Sequence, residues 1–221
     1  MRLFGPLHLS LLAAIAVVTL LLVWLARRGL LNARTARISI GLALAVNELI
    51  WWTFRYSKEG FRFPNNLPLQ LCDVTVWTTV LACLTLTPWL VEFSYFAGIA
   101  GAGMALITPD LWSPWPSYPA IYFFLAHGGI VIAISLVVFG RFAPLRPGAV
   151  RRGFSMLLIY AAAVGLFDWI FRANYMYLRV KPKDQTLLSI FGPWPVYLIP
   201  SFALALLLFW LLGLAADATA Q

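Results

Sequence analysis

Long apolar stretches separated by short polar segments run along the whole chain. A helix needs about 20 residues to cross a hydrocarbon core about 30 Å thick, and seven windows near that length are bounded by charge, Pro or Gly. These windows cover residues 7–25, 37–55, 69–87, 90–108, 121–139, 154–171 and 195–213. The pattern therefore predicts an all-α protein, a polytopic bundle of seven transmembrane helices that forms a single membrane domain over residues 1–221.

Two of the windows allow a second interpretation. The first could be a signal peptide, but its apolar run exceeds the usual length of about 7–15 residues, and the Arg27-Arg28 pair after it offers no small-residue cleavage site. We therefore expect a retained helix. The fourth window could be re-entrant, because it contains three glycines, Gly98, Gly101 and Gly103. Small residues at such spacing also let membrane helices approach closely.

Composition supports a membrane protein. The chain is 62% apolar and 11% charged, with a mean hydropathy of +0.86, whereas soluble domains are about 45–50% apolar and about 25% charged. The formal net charge is +8, and no basic run is interleaved with exposed aromatic residues, so we expect membrane lipid and not nucleic acid as the partner. The sequence leaves the oligomeric state open.

Charge does not orient the bundle clearly, because seven crossings place eight of the 16 Lys and Arg residues on each face. The cations of one face are all arginines and lie in two short loops without carboxylates. We expect that face to be cytoplasmic and the N-terminus to be outside.

Polar residues at membrane depth are costly and are therefore candidates for a functional site. The candidates are His8, Asn47, Glu48, Arg55, Gln70, Cys72, Asp73, His127, Asp168, Arg172 and Asn174. Seven crossings bring nearly all of them toward one face. A rise of about 1.5 Å per residue from the window starts places Cys72 about 5 Å and His127 about 9 Å inside that face.

Cys72 and His127 could form a nucleophile and base, because a thiol attacks well when a neighbouring base takes its proton. The alternative for Cys72 is a small buried hydrophobe, which is the expected role of Cys83 in its wholly apolar surroundings. Asp73 could hold His127 in its useful tautomer or could satisfy amides at a helix end. His8 could simply cap the first helix.

The remaining ionisable residues have a structural interpretation. Glu48 and Arg55 share a helix face and could neutralise each other, or could pair with Arg172 and Asp168. Two histidines with scattered carboxylates form no metal signature, and the chain has neither a phosphate-binding glycine loop nor a Gly-x-Ser-x-Gly elbow. We therefore expect no metal and no cofactor.

Six motifs in order along the chain resemble those of the bacterial YwaF-like membrane proteins, which are similar to the eukaryotic transmembrane protein 164 family. The motifs are residues 4–8 (FGPLH), 67–73 (LPLQLCD), 105–110 (ALITPD), 123–128 (FFLAHG), 174–178 (NYMYL) with Lys181, and 192–197 (GPWPVY). The resemblance implies an integral protein of the bacterial plasma membrane.

The eukaryotic relatives are regarded as phospholipid acyltransferases that use a cysteine and a histidine. The resemblance implies Cys72 as the acyl-accepting nucleophile and His127 as the base, with Asp73 as their neighbour. The family motif often carries His where this chain has Gln70, so base catalysis would depend on His127 or, as the weaker choice, His8.

Two functions follow as hypotheses. The first is an intramembrane lipid acyltransferase or lipid-ester hydrolase that works through a thioester. Amide donors near Gln70 or Asn174 could stabilise the oxyanion. Basic residues could hold a lipid phosphate, or could simply extend their charged ends to the membrane surface. The second is a non-enzymatic subunit that binds or transports a small amphiphile. The expected substrate-binding residues are Gln70, Asp110, Arg172, Asn174, Tyr175, Lys181 and Trp194, with Arg179 and Lys183 as further basic candidates.

Overall fold

The computed structural model describes residues 1–111, 113–181 and 190–220. In these ranges the chain forms seven long helices and a short 3₁₀ turn at Tyr175–Tyr177, with no strand, which confirms the all-α prediction. The helices are α1 (Pro6–Arg27), α2 (Ala33–Glu59), α3 (Leu71–Thr85), α4 (Pro88–Ile107), α5 (Tyr118–Phe139), α6 (Ala149–Phe171) and α7 (Leu198–Ala220).

Each predicted window falls on one helix, but the helices are not equally able to cross a membrane. Five of them (α1, α4, α5, α6 and α7) are long and apolar enough to span it. The helix α3 has only 15 residues, about 22 Å of rise, because Leu86 takes a left-handed conformation with φ of 55° and Pro88 begins the next helix. The helix α2 has 27 residues and carries charges toward both of its ends.

The helix α5 lies at the centre of the bundle. Of its most apolar stretch, 72% is buried, whereas none of the corresponding stretch of α1 is buried. The apolar residues of α1 therefore face the surroundings of the bundle, where lipid would replace protein as the solvent.

The fourth window forms one continuous stretch with a π-helical segment, Ser94–Gly98, in its middle, and it is not re-entrant. Gly98 allows a close approach to α5, because a Cβ at this position would lie 3.0 Å from Cγ2 of Ile130. Gly41 plays the same part between α2 and α3, where a Cβ would lie 2.9 Å from Cβ of Cys83. Cys83 is fully buried in this packing.

The helices alternate in direction, so that the bundle has two distinct ends. At one end, which we call the Cys72 end, the start of α1 contacts the end of α4 through His8 and the carbonyl of Leu106. The other end contains the buried Glu92, and we call it the Glu92 end. There Arg27, at the end of α1, donates to the carbonyl of Phe139 at the end of α5.

Candidate functional site

Cys72 is the second residue of α3 and is half-buried. Gln70 is the N-cap of this helix, and its N–H donates to Oδ2 of Asp73 at 3.1 Å. Asp73 thus satisfies an amide at the start of the helix, one of the two roles expected for it, and it is itself buried. This local capping holds the turn that carries Cys72.

Glu48 lies near the thiol and is fully buried in the middle of α2. Its two carboxylate oxygens accept hydrogen bonds from the Trp52 indole N–H and the Tyr122 hydroxyl, both at 2.7 Å. The carboxyl groups of Glu48 and Asp73 are close enough to Cys72 to interact with it electrostatically. Cys72 therefore lies in a polar pocket of the helix packing, in contrast to Cys83.

Glu48 and Arg55 do not pair, and the expectation that they neutralise each other is wrong. Arg55 instead contacts Glu59 at 3.3 Å, and its guanidinium lies over the ring of Trp52 at 5.2 Å. The donors to the buried carboxyl of Glu48 are neutral. Trp52 lies one turn away on α2 and Tyr122 lies on α5, so neither brings a second charge into the bundle.

The packing register places Cys72 and His127 at a similar level of the bundle. A Cβ on Gly98 would lie 3.0 Å from Cγ2 of Ile130 and 3.9 Å from Cβ of Thr75, and a Cβ on Gly101 would lie 3.5 Å from Leu71. Three residues rise about 4.5 Å in an α-helix. Because α4 and α5 run in opposite directions, a step from Gly98 to Gly101 on α4 matches a step from Ile130 back to His127 on α5. Gly101 also lies at the level of Leu71, the neighbour of Cys72 on α3.

His127 is buried, with one ring nitrogen engaged by its own helix. Nδ1 lies 2.7 Å from the carbonyl oxygen of Phe123, and the two rings lie 4.3 Å apart. Because a carbonyl can only accept, Nδ1 carries the proton and Nε2 of the neutral ring is an acceptor. The backbone of Phe123, and not Asp73, thus fixes the tautomer that a general base requires.

The structure brings the thiol and the imidazole to one level of the bundle. No hydrogen bond joins Cys72 to His127 within the ranges that the structure describes. Catalytic hydrogen bonds are often long without substrate and shorten when it binds. The pairing of the two side chains therefore stays a hypothesis.

A loop after α6 closes over the start of α3. Gln70 accepts the N–H of Met176 through Oε1 at 2.9 Å, and Tyr175 donates its hydroxyl to the carbonyl of Pro64 at 2.6 Å and accepts from the N–H of Leu67 at 2.9 Å. The carboxylate of Asp168 accepts the N–H of Tyr175 at 2.9 and 3.0 Å. Burial raises the pKa of the Tyr175 phenol, which keeps it neutral and able to donate.

Asn174 shapes the same loop and engages both the oxygen and the nitrogen of its amide there. Its Oδ1 accepts from the N–H groups of Arg179 and Val180, at 3.2 and 2.9 Å, and its Nδ2 donates to the carbonyl of Val180 at 2.8 Å. Gln70 differs, because only its Oε1 is engaged among the described residues. Its Nε2 is the better candidate for an oxyanion donor.

A cavity of about 400 Å³, which we call the Trp194 cavity, opens beside this loop. Asp168, Trp169, Arg179 and Trp194 supply its polar and aromatic lining. The indole of Trp194 donates to the carbonyl of Leu178 at 3.0 Å, which fixes the ring at the wall. An arginine and two indoles in the lining of one cavity suit the headgroup of a lipid.

Of the other expected substrate-binding residues, Arg172 and Lys181 flank this loop, and Asp110 belongs to the segment after α4. Arg172 ends α6 with φ of 56° and is exposed, Asp110 follows α4 and is half-buried, and the ammonium of Lys181 lies 5.2 Å from the ring of Tyr197. Lys183 lies outside the described residues.

His8 is a structural residue and not a spare base. Its Nδ1 accepts the N–H of Phe4 at 3.0 Å and its Nε2 donates to the carbonyl of Leu106 at 2.8 Å, and the side chain is fully buried. Both nitrogens are therefore engaged, which leaves His127 as the histidine with a free lone pair.

Sequence reasoning missed the buried carboxylate of Glu92. Glu92 is 1% exposed and accepts four hydrogen bonds from Arg146 and Arg152 at the Glu92 end. A single charge inside an apolar window was the available signal, as it was for Glu48. Tyr122 and Tyr160, whose hydroxyl donates to the carbonyl of Leu69 at 2.9 Å, were also missed. An aromatic residue in an apolar window gives no sign that its hydroxyl has a partner.

These observations define an integral, multi-pass helical membrane protein with a polar site at one end of the bundle. A family model described as the TMEM164 family matches residues 3–214, and the chain belongs to this family. The expected relation to the transmembrane protein 164 family is thereby confirmed, and the YwaF-like name is compatible with it. Searches of curated proteins and of solved structures found no match. Among the described residues, no group of three His, Cys, Asp or Glu side chains could hold a metal ion.

Proposed function

We propose that the protein is an intramembrane lipid acyltransferase or lipid-ester hydrolase with Cys72 as its nucleophile. The observation that supports this most is the placement of Cys72 at the level of a histidine whose Nδ1–H is fixed by a carbonyl and whose Nε2 is left as an acceptor. Membership of the TMEM164 family adds the general setting of a membrane protein, and the activity itself is our proposal.

The first half-reaction transfers an acyl chain to the thiol. Nε2 of His127 takes the proton of Cys72 as the sulfur attacks the ester carbonyl of a lipid, and the C–O bond to the glycerol oxygen breaks. His127 then gives the proton to the leaving oxygen, so that a lysolipid departs and a thioester remains. Proton transfer accompanies attack, because the half-buried thiol attacks well only when a neighbouring base takes its proton.

The second half-reaction regenerates the enzyme. A lysolipid hydroxyl, or a water molecule in the hydrolase, gives its proton to His127 and attacks the thioester carbonyl. The C–S bond breaks, and the proton returns to the sulfur. The free Nε2 amide of Gln70 would donate to the oxyanion formed in each step.

The Trp194 cavity provides a place for the headgroup. Arg179 would pair with the phosphate and the indoles of Trp169 and Trp194 would contact a headgroup cation. We place this end of the bundle outside the bacterial plasma membrane, because the Glu92 end carries the arginine-rich, carboxylate-free loops expected of the cytoplasmic face.

Acyl transfer measured in proteoliposomes tests the proposal. Phospholipid with a labelled acyl chain and an unlabelled lysolipid are supplied, and labelled diacyl product and free fatty acid are quantified. We expect product with the wild-type protein and with Cys83→Ala, and none with Cys72→Ala. Equal product from Cys72→Ala and the wild type would refute the thiol mechanism, and amphiphile uptake that survives Cys72→Ala without any product would favour a transport subunit.

A further inference from the structure

A second cavity lies at the Glu92 end, far from Cys72 along the helices. It has a volume of about 330 Å³ and is enclosed by α4, the loop before α6, the first turn of α6 and the last turns of α7. Phe96, Leu145 and Val150 form apolar walls, and Arg146 and Asp217 bring opposite charges to it. Its volume lies in the range of sites that bind small molecules, about 300–1,000 Å³. We call it the Arg146 cavity.

Glu92 holds the guanidinium of Arg146 in a fixed position. Nε and Nη2 of Arg146 donate to the two Glu92 oxygens at 2.9 and 3.0 Å, and the same oxygens accept from Arg152 at 2.7 and 2.8 Å. The carboxylate is almost completely buried, whereas 49% of the Arg146 side chain is exposed. Nη1 of Arg146 has no partner among the described residues, so it can donate to a ligand.

The cluster is positively charged overall. Glu92 offers one negative charge to two arginines, and Arg152 uses two further donors on the carbonyls of Pro147 and Arg146. The spare charge therefore lies with Arg146, the arginine that lines the cavity. Arginine recognises phosphate well because its planar guanidinium presents several donors at once.

Asp217 brings a separate negative charge to the same cavity. Within residues 1–111, 113–181 and 190–220 it forms no hydrogen bond and no ion pair, although Arg146 lines the cavity with it. A carboxylate of this kind repels a purely anionic ligand and attracts a ligand that also carries a cation. A primary ammonium suits it best, because an ammonium donates hydrogen bonds that a trimethylammonium group cannot form.

We propose that the Arg146 cavity binds the headgroup of an ethanolamine phospholipid, with the phosphate at Arg146 and the ammonium at Asp217. The glycerol end of the lipid contacts the apolar walls that Phe96, Leu145 and Val150 form. The inference does not depend on acyl transfer, because the cavity and Cys72 lie at opposite ends of the bundle.

The test measures lipid binding to the purified protein by native mass spectrometry, with phosphatidylethanolamine, phosphatidylcholine and phosphatidylglycerol of the same acyl composition as probes. Loss of one charge-assisted contact is expected to weaken binding about tenfold. The wild type should therefore bind phosphatidylethanolamine about tenfold more tightly than the other two lipids. Asp217→Asn should remove this preference without weakening the binding of phosphatidylglycerol.

Two arginine variants supply the matched control. Arg146→Gln should weaken all three lipids about tenfold, whereas Arg151→Gln removes the same charge from an exposed position beside the cavity and should leave the preference unchanged. Equal affinities of the wild type for the three lipids would overturn the proposal. An Asp217→Asn variant that keeps the wild-type preference would overturn it too, and this readout holds even if Arg146→Gln disrupts the Glu92 cluster.

Discussion

At the scale of single residues, the polar side chains of the Cys72 end differ in which donor and acceptor atoms have no hydrogen-bond partner among the described residues. Asn174 uses both of its amide groups within its own loop, and His8 uses both ring nitrogens. His127 keeps Nε2 and Gln70 keeps its amide nitrogen. The free groups are an acceptor and a donor, the two that proton transfer and oxyanion stabilisation require.

A histidine variant tests this division. His127→Gln keeps a donor for the Phe123 carbonyl but removes the base, so acyl transfer should fall by about 10²–10⁴-fold while the melting temperature in detergent changes little. His8→Gln should instead lower the melting temperature, since it disturbs two buried hydrogen bonds, and should leave the activity per folded protein close to that of the wild type. A His127 variant with full activity would remove this residue from the mechanism.

The hydroxyl of Tyr122 satisfies a buried carboxyl, and its loss should be costly. Tyr122→Phe keeps the ring that stacks on Trp51 at 4.2 Å but leaves one Glu48 oxygen without its donor, which should lower the free energy of unfolding by about 1–3 kcal/mol. Tyr118→Phe is the matched control, because the Tyr118 hydroxyl is buried and has no hydrogen-bond partner among the described residues. Denaturation in detergent should separate the two variants, and equal losses would contradict the role assigned to Glu48.

At the scale of the helices, glycines set how closely α2, α3, α4 and α5 approach. A Cβ at Gly41 would lie 2.9 Å from Cβ of Cys83, an atom that cannot rotate away. Gly103 also lies within a helix, but a Cβ there would meet nothing within 4 Å. Substitution of Gly41 therefore tests a packing requirement, whereas substitution of Gly103 tests helix propensity alone.

Alanine at these two positions should have opposite effects. Gly41→Ala should push α2 from α3 and destabilise the protein by about 1–3 kcal/mol, whereas Gly103→Ala should stabilise it by about 0.5–1 kcal/mol through the lower backbone entropy of the unfolded chain. Thermal unfolding monitored by circular dichroism gives the comparison. A neutral Gly41→Ala would show that the α2–α3 contact has room to spare.

The sequence pattern predicted the helices better than their partners. Every apolar window contains a helix, because the length of an apolar run is a local property of the chain, but the left-handed Leu86 that shortens α3 left no strong signal. The capping by Asp73 was foreseen as one of two roles, since it links neighbours in the chain. The partners of Glu48 were not, because Tyr122 is distant in sequence and the pattern of charges does not reveal neutral donors.

At the scale of the whole molecule, the two ends of the bundle carry different chemistry. The Cys72 end has a half-buried thiol, a histidine with a free nitrogen and a loop that closes over both the start of α3 and the Trp194 cavity. The Glu92 end has a buried carboxylate that orders two arginines beside a second cavity. Substrate chemistry at one end and lipid binding at the other can therefore be tested separately.

The central claim is that Cys72 carries an acyl chain during the reaction, and intact mass after exposure to phospholipid tests it most directly. The wild type and Cys83→Ala should each gain the mass of one acyl chain, hydroxylamine should remove it, and Cys72→Ala should gain none. A wild-type protein that never gains this mass under conditions of turnover, or a Cys72→Ala variant that gains it, would contradict the account.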